Sequence, residues 1–144
     1  IVEMASGSSE EEMLRLVAQM HNNNRLTPSI ILRALCMGDI LFFESALSVR
    51  AKIPLLNARI LIHDGGQLGM KTLYERASMP ASMMTVITAA LDVVHETEMN
   101  DVNIEKYRAR VIERVLTQFE DVGSEDFDYL LNKLGDIMSV EHTA

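Results

Sequence analysis

The sequence predicts an all-α protein of about eight helices arranged as stacked helical hairpins, a short α-solenoid. Three observations carry this expectation. Breakers are sparse, with seven Gly and three Pro in 144 residues. Good helix formers (Leu, Ala, Met, Glu, Arg) are plentiful and β-branched runs are few. Pro28, Pro54 and Pro80 stand 26 residues apart, and the string around two of them repeats, as Arg50-Ala51-Lys52-Ile53-Pro54 and Arg76-Ala77-Ser78-Met79-Pro80. Apolar pairs follow each proline at the same distance: Ala34/Leu35, Ile60/Leu61 and Val86/Ile87. A unit of that length holds two helices of about ten residues and two tight turns. A lone hairpin of this size cannot bury its apolar face, so neighbours stack.

The elements follow in order. Residues 1–8 read as a loose leader. Ser9-Glu10-Glu11-Glu12 is a capping-box pattern opening a first helix, with Met13, Leu16, Val17 and Met20 at helical spacing. Asn22-Asn23-Asn24 ends it. Thr27-Pro28 is a cap with proline in the first turn, where its missing N–H costs nothing. Gly38 stops that helix and Asp39 caps the next, which carries Phe42, Phe43, Ala46 and Leu47. Pro54 opens a fourth helix, ended by Gly65-Gly66. A fifth runs from about Gln67 to Ala77, and Pro80 opens a long sixth reaching about Glu98, apolar nearly all round. Its Met83 and Met84 read as core. After the polar link Asn100–Asn103, Ile104, Tyr107, Val111, Val115, Leu116 and Phe119 form the stripe of an amphipathic helix. Phe127, Leu130, Leu131, Leu134, Ile137 and Met138 mark the last. The hairpin repeats are expected over 9–99 and a capping pair over 104–139, in one compact domain.

Composition excludes several classes. Apolar residues make up 48% and charged residues 24%, a globular balance. A net charge of −8 argues against nucleic acid, and no predicted helix is basic enough to serve as a recognition helix. No stretch approaches the length of a membrane span. The single cysteine, Cys36, cannot form an internal disulfide, which fits a cytoplasmic location. The chain opens on Ile1, so a piece of a longer protein is expected.

Several strings are shared with a known family: Leu26-Thr27-Pro28, Arg33-Ala34-Leu35-Cys36-Met37-Gly38-Asp39, Phe42-Phe43-Glu44, Ile62-His63-Asp64, Leu73-Tyr74-Glu75-Arg76-Ala77, Glu113-Arg114-Val115-Leu116-Thr117-Gln118-Phe119 and Asp128-Tyr129-Leu130-Leu131. On these residues the chain resembles the bacterial domain of unknown function 2336, found mainly in alphaproteobacteria. The resemblance covers roughly Leu14 to Leu134. Members look like longer proteins whose preceding region carries HEAT-like repeats with R-A-x-L-P strings, and this chain is similar to their C-terminal part. The resemblance implies a cytoplasmic helical-repeat protein that handles a protein partner. It implies no activity, cofactor or catalytic residue.

The residues that bear chemistry are few. His63-Asp64 would suit a general base with an orienting carboxylate. Adjacent helical residues point about 100° apart, so a histidine at the negative helix end and a capping or bridging Asp are expected instead. His95, Glu96 and Glu98 lack metal-ligand spacing and read as a solvated helix end. Cys36 lies in an apolar run and reads as a buried small hydrophobe. Gly65, Gly66 and Gly69 lack the Lys-Ser/Thr of a phosphate loop and read as a cap and tight turn.

Arg33, Asp39, Glu44, Arg50, Asp64 and Arg76 suggest a ladder in which equivalent arginines bridge neighbouring hairpins through carboxylates such as Asp39 or Asp64. Lys106, Arg110 and Arg114 form a basic stripe able to receive an acidic helix, against the simpler expectation of a surface balanced by Glu120, Asp121, Glu125, Asp126 and Asp128. The overall expectation is a non-enzymatic protein-interaction or scaffold module, binding a protein partner or itself and using no cofactor or metal. Its candidate binding residues are Arg33, Arg50, Arg76, Lys106, Arg110, Arg114, His63 and Asp64. The alternatives are a small-molecule-sensing domain with an enclosed pocket and an enzyme using His63, Asp64 or Glu44.

Overall fold

In the computed structural model, which describes residues 2–97 and 104–119, seven α-helices follow one another. They are α1 (Val2–Asn22), α2 (Pro28–Met37), α3 (Ile40–Ala51), α4 (Leu55–His63), α5 (Gly66–Arg76), α6 (Met84–Glu96) and α7 (Ile104–Phe119). The architecture is all-α, and the helix starts are written in the local sequence. Thr27 caps α2 by accepting the Ile30 N–H at 3.3 Å, with Pro28 in the first turn. Asp39 caps α3 by accepting the Phe42 N–H at 3.3 Å. Pro54, in extended backbone, precedes α4.

The helix ends repeat one device. At α1, α2, α3 and α5 a left-handed residue (Asn24, Gly38, Lys52, Ser78) reverses the chain. The residue after it then donates to a carbonyl five back: Arg25 to Met20, Asp39 to Ala34, Ile53 to Ser48 and Met79 to Tyr74. The left-handed residue itself donates to a carbonyl three back (His21, Leu35, Val49 and Glu75), and this double closure satisfies carbonyls that have no next helical turn. Lys52 and Ser78 lie 26 residues apart, each two before its proline, whereas Asn24 stands four before Pro28, so the backbone match covers two of the three prolines. Next to the second of these, the Tyr74 hydroxyl donates to the Pro80 carbonyl, and burial pushes its phenol up to about 12.

α3 is the axis of the first unit and packs against α1, α2, α4 and α5. Every side chain from Phe42 to Ser48 is buried, which explains a helix with apolar residues on all sides. Val17, Ile31, Leu35, Cys36, Phe43, Leu47 and Leu73 are fully enclosed around it. Burial pushes the Cys36 thiol up to about 12, as expected of an inert core cysteine. The α4–α5 turn is close-packed: a Cβ on Gly65 would stand 2.9 Å from the Leu61 carbonyl oxygen and one on Gly69 3.1 Å from the same atom. Gly66 holds φ +63°, a left-handed value that favours glycine. The glycine run therefore lets two helices approach as well as turn.

The chain divides into two compact units, one ending at Met84 and the other beginning at Thr85. That boundary lies inside the single long helix expected from Pro80 to Glu98. The segment is instead a 3-10 turn (Ala81–Met83) followed by α6, and Met83 and Met84 are half-buried. In the second unit α6 buries Val86, Ile87, Ala89, Ala90, Leu91 and Val93, and α7 buries Tyr107, Val111 and Val115 four residues apart. Two expectations are corrected at the start of the chain. The leader expected over 1–8 is helical from Val2, and Ser9 lies within α1 and not at its start. The last helix, expected around Phe127–Met138, lies outside the described residues, as do the acidic positions 120–128.

Candidate functional site

The polar centre of the first unit is Glu44. It is the only ionisable residue between Ile40 and Val49, and its side chain is 8% exposed. A buried carboxylate must find partners or lose its charge, and α4 supplies two. Arg59 Nε donates to Oε1 at 3.1 Å, and His63 Nε2 lies 2.6 Å from Oε2. Arg59 and His63 are four apart, so one face of α4 carries both. The far nitrogen of Arg59 bonds Glu10 of α1 at 2.9 Å. One chain of contacts thus joins α1, α4 and α3.

This node determines what α4 shows to solvent. Arg59 and His63 are the only ionisable residues of Leu55–His63, and both are directed to Glu44. The outward side is left to Leu56 (66% exposed), Asn57 and Ile60 (48%), on consecutive turns. Leu68, near the start of α5, is 76% exposed. Exposed leucines are ordinary one at a time; two large apolar residues four apart on one helix face are not.

The other candidate residues resolve as follows. Arg50 and Arg76 bridge neighbouring hairpins, but their acceptors are main-chain carbonyls, which corrects the carboxylate ladder. Arg50 Nε donates to Ala77 O at 2.8 Å while Arg76 Nε donates to Ala51 O at 2.9 Å. The repeated Arg-Ala dipeptides clasp each other reciprocally. The remaining donors of Arg50 reach Leu26 O at 2.8 Å and Ser78 O at 3.0 Å. A guanidinium suits this work because its planar fork serves three acceptors at once and its charge faces helix C-termini. Asp39 is occupied by its capping bond. Asp64 is the exposed C-cap of α4, and the partner of His63 is Glu44. Arg33 lies half-buried on α2.

Of the basic stripe on α7, Lys106 and Arg110 are exposed, and Arg110 contacts the Thr97 hydroxyl at 3.4 Å. Arg114 is bound through both terminal nitrogens to Glu96, at 3.1 and 2.6 Å. That hydrogen bond holds the Glu96 carboxyl below its ordinary value. Glu96, Arg110, Glu113, Arg114 and Thr117 line a surface depression of about 400 Å³ whose charges are mixed. His95 is exposed beside Glu96. Among the described residues, no group of three His, Cys, Asp or Glu could hold a metal ion, and no helix is long and apolar enough to cross a membrane.

The sequence reading missed Arg59, Glu10 and the Leu56–Ile60 face. A signal for the first was present: a lone Glu in an apolar run demands a cation, and the Arg59/His63 pair at helical spacing offers one. Glu10, 49 residues from Arg59, had no such signal.

These features define an all-α protein of packed helical hairpins, clasped by arginines, with an internal charge node at Glu44 in its first unit. The model of a bacterial family described as "Uncharacterised protein conserved in bacteria (DUF2336)" matches residues 2–125. The chain belongs to that family. No curated protein and no solved structure matches it.

Proposed function

We propose that this chain is a non-enzymatic protein-interaction module, a HEAT-like stack working in the cytoplasm, and that it receives a protein partner on the α4 face. The observation that carries the reading is the uncharged pair Leu56 and Ile60, 66% and 48% exposed, on a helix whose only ionisable side chains, Arg59 and His63, are engaged by Glu44 and, for Arg59, by Glu10 as well. An apolar helix face of this kind gains free energy when a partner removes it from water, about 1.5–3 kcal/mol for each large side chain fully covered. The Arg50/Arg76 clasp supports the same reading, since fixed turns keep the face in one shape and reduce the ordering cost of binding. The arginines themselves act as structure and leave recognition to α4.

The test compares capture of partners from cell extract by wild type and by the double variant Leu56→Glu/Ile60→Glu. A partner held by wild type and lost by a still-helical variant supports the proposal. Equal capture by both removes the α4 face from it.

The Glu44–His63 contact supports a second reading, since an imidazole oriented by a carboxylate is what a general base requires. An enzyme of this kind would keep its stability when His63 becomes Gln and lose turnover. A strut between α3 and α4 would lose stability.

A further inference from the structure

We draw no further inference here: the strongest candidate, the exposed Leu56–Ile60 face of α4 with Leu68 of α5, belongs to the surface already proposed for a protein partner, and nothing in the structure shows what covers it.

Discussion

Replacing Arg50 with Met tests the clasp directly. Met preserves much of the apolar stem and deletes the donors to Ala77 O, Leu26 O and Ser78 O. Leu26 and Ala77 are buried, so water does not readily replace the guanidinium there, and each stranded carbonyl costs about 1–1.5 kcal/mol. Ser78 is exposed and its carbonyl rehydrates. Removing a cation from the end of α5 adds about 0.5 kcal/mol. The expected loss is therefore about 3 kcal/mol, a large share of a typical domain's stability. Arg76→Met deletes one contact, Nε to Ala51 O, and is expected to cost about 1 kcal/mol. Arg50→Lys keeps the charge but not the fork, and falls between the two. Urea unfolding followed by far-ultraviolet circular dichroism gives these differences from the midpoints at constant slope. The reasoning fails if Arg50→Met costs less than Arg76→Met, or if it costs under about 0.5 kcal/mol, the scale of an ordinary surface substitution.

Three further outcomes are expected. Glu44→Ala removes the carboxylate that Arg59 Nε and His63 Nε2 face and should destabilise by about 2–3 kcal/mol in the same urea assay; a loss below about 1 kcal/mol would make the node incidental. The Cys36 thiol, raised from 9.0 to about 12 by burial, should resist disulfide reagents at pH 8 until urea opens the fold. Because its folded pKa is raised, the unfolded chain ionises first, and stability from this group is lost as pH climbs from 9 toward 12; rapid native-state labelling would contradict the burial. Gly65→Ala drives a Cβ to 2.9 Å from a main-chain oxygen and should cost about 2 kcal/mol. Gly66→Ala meets no neighbour within 4 Å but keeps φ +63°, and should cost about 1 kcal/mol. Melting temperatures in the reverse order would show that the turn relaxes in a way the close packing forbids.

What the sequence revealed follows the range of the forces involved. Thr27-Pro28 and Gly38-Asp39 act on backbone groups within a few residues, so their roles could be read directly. The Arg50/Arg76 recurrence was equally readable, but its acceptors were not. Carbonyl oxygens belong to every residue and leave no letter in the sequence, whereas Asp39 and Asp64 stood out as candidates. The structure uses Asp39 on its own helix and leaves Asp64 at an exposed end. Helix α1 defeated local reading in the opposite way: Ser9 carries a capping pattern, yet the helix runs through it from Val2. The α4 face is a subtractive feature. It appears only once Arg59 and His63 are known to point at Glu44, and contacts spanning 15 and 19 residues fix that.

The most direct test of the central claim is the yield of captured partner for Leu56→Glu/Ile60→Glu relative to wild type, measured beside Lys106→Glu/Arg110→Glu. All three proteins must first show the same helical circular dichroism. Two buried apolar contacts at about 1.5 kcal/mol each predict at least a tenfold loss for the α4 variant and little change for the α7 variant. Undiminished capture by the α4 variant, or a loss confined to the α7 charge reversal, would contradict the account.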